Sequence, residues 1–188
     1  MKNLVAITPE KFDVILDLRY ATTNNVCGVK LYAYPFCYLH EAAIPLLEQA
    51  IKTAKHLGYK LKIFDTYRPI EVQKFMFDKF SADPTKEGFV SNPVGGVTTH
   101  CRGVAIDLTL TDLAGNEVDM GTDFDDFSEV AFHNCLTISV EAQRNRMILL
   151  GIMSAAGFDF YSKEWWHYQL FKPREYPLIE ASRDMLAI

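Results

Sequence analysis

One short stretch, TTHCRGVAIDLTL, places a histidine close to an aspartate inside an apolar run. A carboxylate among apolar strand residues is costly unless it is paired or binds a metal, so Asp107 needs a cation. Seven residues separate His100 from Asp107, which puts them on opposite faces of a regular strand, and Gly103 can supply a bend that brings them together. Alternatively, Asp107 caps a backbone turn and His100 is an ordinary loop histidine.

A second stretch, SKEWWHYQL, carries a histidine and a glutamate close to two tryptophans. If residues 165–171 form a strand, Trp165 and His167 share a face, and Glu164 can reach the same place only from the preceding loop. Two histidines, one aspartate and a spare glutamate match the inventory of a catalytic zinc site, in which three ligands leave room for a water and the glutamate accepts its proton. The alternative is a core strand with a hydrogen-bonded histidine and a glutamate at its edge.

A third stretch, FDTYRPIEV, places an arginine at the end of a predicted strand. Pro69 keeps Arg68 out of a helix, which directs a long cation off the end of the sheet. A hydrolase that forms a tetrahedral oxyanion needs such a donor. Taken by position alone, Arg68 is better interpreted as a surface residue paired with a carboxylate.

The elements that must position these residues alternate between helices and strands. A stripe of apolar residues predicts a helix in HEAAIPLLEQAIKTAKHLG, and alternation predicts a strand in YKLKIFD. A helix is expected in RPIEVQKFMFDKF, opened by Pro69, and another over about 139–156, closed by Gly157. Residues 81–99 are expected to form a loop.

The later segments favour antiparallel pairing. VAIDLTL, the turn TDLAGNE and VDMG suggest a loose β pair, and FDFYSKEWWHYQLF reads as strand, loop and strand. We therefore expect an α+β fold in a single domain over residues 1–188, with a mainly antiparallel sheet flanked by helices.

The composition limits the partners and the compartment. The chain has 188 residues, 49% of them hydrophobic, and a net charge of −5, which argues against nucleic acid as a partner. It shows no signal-peptide pattern and no apolar run that could span a membrane. Four scattered cysteines suit reduced thiols, so we expect a cytoplasmic protein. Arg144 and Arg146 are expected on a solvated helix face, and His40 and His56 at the surface.

Five motifs together resemble a known family. DTYRP, TTHCRGVAIDLTL, MGTDFD, EAQRNRMIL and SKEWWHYQL are similar to motifs of the zinc D-alanyl-D-alanine dipeptidases, which serve glycopeptide-antibiotic resistance and D-Ala-D-Ala turnover. The motifs appear in family order from LRYATTNN to EWWHYQL, so the resemblance covers nearly the whole chain. The wider fold group includes cell-wall carboxypeptidases and the hedgehog signalling domain.

The resemblance implies a role for individual residues. It implies one zinc ion per chain on His100, Asp107 and His167, with Glu164 as general base and Arg68 as transition-state stabiliser. It also implies that several residues help to hold a small dipeptide: Asp125 through the free ammonium group, Tyr20, and Thr98 and Thr99 in place of family serines.

Three other functions compete with the dipeptidase. A non-haem iron oxygenase also uses two histidines and a carboxylate, but its short H-x-D spacing is missing and Glu164 would be idle. A non-catalytic metal-bearing domain, as in the hedgehog relatives, would not need Glu164 and Arg68. A cell-wall D,D-carboxypeptidase is the nearest rival, and such enzymes usually carry an export signal.

Overall fold

Short strands and four helices alternate along the chain in the computed structural model, which describes residues 3–188. Their bounds in chain order are β1 Leu4–Ala6, α1 Pro9–Phe12, β2 Ile15–Leu16, β3 Tyr38–His40, α2 Ile44–His56, β4 Tyr59–Asp65, α3 Ile70–Phe80, β5 Ala105–Asp112, α4 Val140–Ala156, β6 Asp159–Phe160 and β7 His167–Gln169.

A five-stranded sheet carries most of the architecture. Its order is β2-β4-β5-β7-β6, and β1 and β3 form a separate antiparallel pair. In the larger sheet β2 runs parallel to β4, whereas β4, β5, β7 and β6 pair antiparallel with their neighbours. The predicted α+β fold with a mainly antiparallel sheet is therefore confirmed.

Helices α2 and α4 cover the sheet. In α2 the buried residues Leu47, Ala50 and Ala54 recur at helical spacing, and Pro45 lies in the first turn, where it removes no helical hydrogen bond. Helix α4 packs against α2. It begins where the Ser139 hydroxyl accepts from the Ala142 amide at 3.0 Å, and it ends at Gly157 with a φ of +106°, a left-handed conformation that glycine adopts easily.

Strand β5 lies in the middle of the sheet and is buried from Ala105 to Thr111. Gly103 supplies the bend predicted before it, with a φ of +67° at the end of a short 3₁₀ turn over His100–Arg102. A side chain at this position would also be obstructed, because an added Cβ would lie 2.6 Å from Leu4 Cδ2. The glycine thus allows His100 and β5 to meet at a sharp angle.

The predicted strand over residues 165–171 is wrong in its extent, since β7 covers only His167–Gln169. Trp165 is held away from the sheet because its backbone N–H donates to the Ala131 carbonyl at 3.1 Å and its indole N–H donates to Thr122 Oγ1 at 2.8 Å. The chain turns instead, with the His167 amide donating to the Glu164 carbonyl at 3.2 Å. Trp165 and His167 therefore do not share a strand face.

Two predictions of exposure are also wrong. Arg146 is fully buried, because its guanidinium donates to the loop carbonyls of Met120, Val130 and Phe132 at 2.7–2.9 Å. His40 is buried beside α2, where its Nδ1 accepts from the Ala42 amide at 3.2 Å. Over residues 3–188, no helix combines the length and the apolar character needed to cross a membrane.

Candidate active site

Sheet pairing brings two of the predicted metal ligands together. Asp107 on β5 lies directly opposite His167 on β7, so both side chains project from the same face of the sheet. The Asp107 Oδ1 atom is 3.0 Å from His167 Nδ1. His100 joins them from the turn before Gly103, with its Nε2 atom 3.3 Å from Asp107 Oδ2 and 3.2 Å from His167 Nδ1. The bend expected between His100 and Asp107 therefore brings these three side chains together. We call the place where His100, Asp107 and His167 meet the junction.

The hydrogen bonds behind each imidazole fix which nitrogen faces the junction. His100 Nδ1 donates to the Thr66 carbonyl at 2.6 Å, which leaves a lone pair on Nε2 of the neutral ring. His167 Nε2 lies 3.1 Å from Gln169 Oε1, and donation there leaves a lone pair on Nδ1. With these tautomers, two ring lone pairs and a carboxylate converge in a buried place, an arrangement that suits a cation between them.

The spacing and chemistry of the three atoms fit a small divalent ion. A tetrahedral zinc ion with bonds of about 2.0–2.1 Å keeps its ligand atoms roughly 3.3 Å apart. His100 Nε2 and His167 Nδ1 are 3.2 Å apart, and the Asp107 carboxylate lies 3.0 Å from His167 Nδ1 through Oδ1 and 3.3 Å from His100 Nε2 through Oδ2. All three residues are buried. Among residues 3–188, His100, Asp107 and His167 are the one group of three or more such side chains whose ligand atoms all lie within 4.8 Å of one another.

The electrostatics show the same demand for positive charge. Burial alone would raise the pKa of Asp107, but the charges and hydrogen bonds of His100 and His167 outweigh it and lower that pKa. Burial lowers the pKa of His167, but the hydrogen bond and charge of Asp107 reverse this and raise it. Positive charge at the junction is therefore stabilised by the carboxylate.

Glu164 reaches the site from the turn before β7, as the sequence predicts. Its Oε2 atom lies 3.8 Å from His167 Nδ1, and the residue is only 7% exposed. Burial raises the pKa of its carboxyl to about 8, an effect that the positive charge of His167 opposes. A carboxyl poised near neutral pH beside a cation site is suited to exchange protons with a water or substrate there.

Arg68 is held beside the junction by a buried network. Its Nε and Nη2 atoms donate to Asp65 Oδ2 at 3.0 and 2.9 Å, and its Nη1 donates to Gln73 Oε1 at 3.0 Å. The guanidinium lies over the Tyr20 ring, 4.9 Å from its centre, and 3.7 Å from Asp107 Oδ2. Arg68 does pair with a carboxylate, but it is 6% exposed and is not the surface residue that the alternative assumed.

Asp65 is a site residue that the sequence reasoning missed. It ends β4, and its Oδ1 accepts from the Tyr32 hydroxyl at 2.7 Å while its Oδ2 binds Arg68. Burial raises the pKa of Asp65, and the charge of Arg68 opposes this. The signal was available, since an aspartate three residues before Arg68 in FDTYRP can bind it across a turn.

Asp125 and Tyr20 meet across a distance of 105 residues in the chain. The Tyr20 hydroxyl lies 3.0 and 2.9 Å from the two carboxylate oxygens of Asp125, to which it donates. Burial raises the pKa of Asp125 to about 7, although the charge of Arg68 opposes this. Asp125 also has a φ of +64°, a backbone conformation uncommon outside glycine. A negative carboxyl with one hydroxyl donor remains able to accept a cationic group.

An open cavity of about 690 Å³ joins these residues except Asp65, which lies behind Arg68. Its polar lining consists mainly of Tyr20, Arg68, Gln73, Ser91, Thr98, Thr99, His100, Asp107, Asp125, Glu164, His167 and Gln169. Thr98 has a φ of +48° and donates its hydroxyl to the Val97 carbonyl at 2.8 Å. A second cleft of about 630 Å³ near β1 contains none of the histidines, so the chemistry belongs to the first.

Other residues next to the motifs lie outside the ligand set. Burial raises the pKa of the Cys101 thiol to about 12, so this thiol is a poor metal ligand. Arg102 donates to the backbone carbonyls of Val97 and Tyr176, which ties the cavity loop to the segment after β7. His133 is buried against Phe160 and Tyr168, away from the three ligand atoms.

The cavity has the features of a metallopeptidase active site: three buried side chains that could bind a cation, a glutamate that is not one of them, and an arginine in the cavity wall. The comparisons agree: the family described as D-ala-D-ala dipeptidase, peptidase family M15, matches residues 2–177, and the chain belongs to this family. It is therefore an enzyme, a peptidase of a metallopeptidase family.

Curated relatives cover most of the chain. A D-alanyl-D-alanine dipeptidase of Escherichia coli K12 is 39% identical over 177 residues, which is 94% of this chain and 88% of the relative. Proteins of the same name from Enterococcus faecium and Enterococcus faecalis are 36% and 35% identical, over 86% and 82% of this chain and 87% and 84% of their own lengths.

Proposed function

We propose that this enzyme hydrolyses the peptide bond of free D-alanyl-D-alanine with one zinc ion per chain. The observation that carries the proposal is the convergence of His100 Nε2, Asp107 and His167 Nδ1 within 3.0–3.3 Å of one another, beside Glu164. The relatives named above, each a D-alanyl-D-alanine dipeptidase, support the substrate.

His100, Asp107 and His167 would hold the zinc ion, and all three side chains line the cavity. When bound, zinc supplies a Lewis acid and lowers the pKa of a water toward about 7. Glu164 is the general base in this proposal. Its carboxylate accepts a proton from the attacking water and later delivers it to the amine nitrogen that leaves when the peptide bond breaks.

Arg68 would stabilise the oxyanion that forms on the carbonyl. Its guanidinium already lies 3.7 Å from Asp107 Oδ2, so it borders the reacting centre. Asp65 and Gln73 occupy its Nε and Nη1 and thereby hold its plane in place before substrate arrives. Such a preorganised donor acts mainly in the transition state, where the negative charge appears.

Asp125 would bind the free ammonium group of the dipeptide. Its carboxylate has one hydroxyl donor, from Tyr20, and lines the same cavity as Glu164 and Arg68. Thr98 and Thr99 would contact the rest of the substrate from the opposite loop. We also propose that the enzyme works in the cytoplasm, which its four free cysteines support.

Metal removal and restoration test the proposal. The purified enzyme is expected to contain one zinc per chain and to release D-alanine from D-Ala-D-Ala. A chelator should abolish the activity, and stoichiometric zinc should restore it. An enzyme that stays fully active after its metal has been removed would refute the zinc mechanism.

A further inference from the structure

The two histidines of the proposed zinc site are oriented by different kinds of partner. His100 Nδ1 donates to the backbone carbonyl of Thr66 at 2.6 Å, a contact that any residue at position 66 would keep. His167 Nε2 instead lies 3.1 Å from the side-chain oxygen of Gln169. Among residues 3–188, His167 Nε2 has no other hydrogen-bond partner. The orientation of His167 therefore depends on one side chain.

The sheet explains how Gln169 reaches the ring. Residues 167 and 169 are two apart on β7, so their side chains project from the same face. Gln169 lies opposite Ala105 on β5, just as His167 lies opposite Asp107. The small side chain of Ala105 leaves the amide of Gln169 free to lie along the face toward His167.

We propose that Gln169 is a positioning residue that holds His167 in the tautomer able to bind zinc. The inference rests on the proposed zinc site. With its Nε2 proton donated to Gln169 Oε1, the neutral ring presents the Nδ1 lone pair to the junction. An acceptor behind a metal-bound imidazole fixes its orientation and increases its basicity, and loss of such a partner typically weakens metal binding about 10–100-fold.

A competing state explains why the loss should be measurable. Asp107 Oδ1 lies 3.0 Å from His167 Nδ1 and can accept a hydrogen bond from a proton on that nitrogen. Without Gln169, the tautomer protonated on Nδ1 keeps this hydrogen bond and loses nothing on the other side of the ring. That tautomer has a proton where the metal must bind. Gln169 thus favours the tautomer protonated on Nε2, because its side-chain oxygen accepts a hydrogen bond from that proton.

The test is the zinc dissociation constant, measured by chelator competition on the full-length protein and its variants. Gln169→Met has similar length and no acceptor, and Gln169→Asn keeps an amide that is too short to reach the ring. Both should bind zinc about 10–100-fold more weakly than the unmodified protein. Gln169→Glu keeps an acceptor in place and should bind zinc at least as tightly as the unmodified protein.

Gln49→Met is the matched control, since Gln49 is exposed on α2 and its side chain contacts Thr53, away from the metal ligands. It should leave zinc affinity unchanged. The proposal is overturned if Gln169→Met binds zinc as tightly as the unmodified protein, or if Gln169→Glu is weakened as much as Gln169→Met. If Gln169→Met does not fold, as judged by circular dichroism, the Asn and Glu variants decide. An unmodified protein that binds no zinc refutes the proposed function itself, which distinguishes the two failures.

Discussion

Asp107 and His167 lie directly opposite each other on β5 and β7, with Asp107 Oδ1 3.0 Å from His167 Nδ1. This pairing turns two residues 60 positions apart into one side of a cation site, and the turn at Gly103 adds His100 as the other. The sheet register therefore determines the geometry of the site.

His167→Ala should abolish stoichiometric zinc binding. Two remaining ligands, His100 and Asp107, hold zinc poorly, and the buried carboxylate loses a partner at 3.0 Å. Metal content of the purified protein checks this, with His56→Ala as control because His56 is exposed at the end of α2. A His167→Ala protein that keeps one tightly bound zinc per chain would remove His167 from the ligand set.

Glu164→Gln should keep the metal and lose most of the activity. Its Oε2 lies 3.8 Å from His167 Nδ1, and in the proposed mechanism it moves protons and binds no metal. Loss of a general base typically lowers the rate by about 10²–10⁴-fold. Zinc content and turnover are measured on the same sample. Loss of zinc along with the activity would make Glu164 a ligand and require new roles for Glu164 and Asp107.

Arg68→Lys should lower kcat by about 10²-fold and change KM much less. A lysine ammonium cannot replace a planar guanidinium that donates to Asp65 and Gln73 while it borders the reacting centre. A donor that acts on developing charge is felt in turnover more than in binding. Arg144→Lys, on the exposed face of α4, is the control. An effect confined to KM would assign Arg68 to carboxylate recognition.

Low pH should destabilise the fold through His133. This ring is 6% exposed, and neither of its nitrogens has a partner among the described side chains. Burial and the nearby charge of Arg146 lower the pKa of His133 to about 4. The unfolded chain, with a histidine pKa near 6.5, therefore binds this proton at a higher pH than the folded protein.

The contribution of His133 to stability is complete above about pH 6.5 and falls by roughly 3 kcal/mol as the pH drops toward 4. Urea unfolding between pH 4 and 7.5 measures it, as the difference between the unmodified protein and His133→Asn. The difference cancels the carboxyl groups that titrate over the same range. Equal pH dependence in both proteins would show that His133 is not buried as a neutral ring.

Local sequence signals predicted the helices, the strands and the candidate site residues better than the strand register and the long-range hydrogen bonds between them. The motif around Asp107 identified a carboxylate that needs a cation because burial of charge is a local property of an apolar strand. The register that places His167 opposite Asp107 is a long-range property, and the strand predicted at residues 165–171 was too long. The hydrogen bonds of Trp165 to Thr122 and Ala131 keep this residue out of the strand, and such contacts leave no periodic pattern in the sequence.

Buried polar residues were the hardest to predict. Arg146 lies on a helix whose apolar residues are spread around its axis, so the sequence pattern did not show which face of the helix is buried. Its burial depends on the loop carbonyls of Met120, Val130 and Phe132, which arrive from another part of the chain. The roles of Asp65 and Gln73 could not be predicted for the same reason, because both residues act by accepting hydrogen bonds from Arg68.

The ammonium-binding role proposed for Asp125 predicts a strict preference for free dipeptides. Acetylation of the substrate nitrogen removes the cation and leaves the Asp125 carboxylate with the Tyr20 hydroxyl alone. Removing one partner of a buried charge pair costs on the order of 3–5 kcal/mol, which is over a hundredfold in rate. Asp125→Asn should therefore lose activity on the free dipeptide and show a smaller preference for it.

The most direct measurement compares the rates at which the zinc-loaded enzyme cleaves D-Ala-D-Ala and N-acetyl-D-Ala-D-Ala. We expect rapid release of D-alanine from the free dipeptide and a kcat/KM at least about a hundredfold lower for the acetylated one. Similar values of kcat/KM for the two substrates would contradict the dipeptidase assignment and favour a D,D-carboxypeptidase.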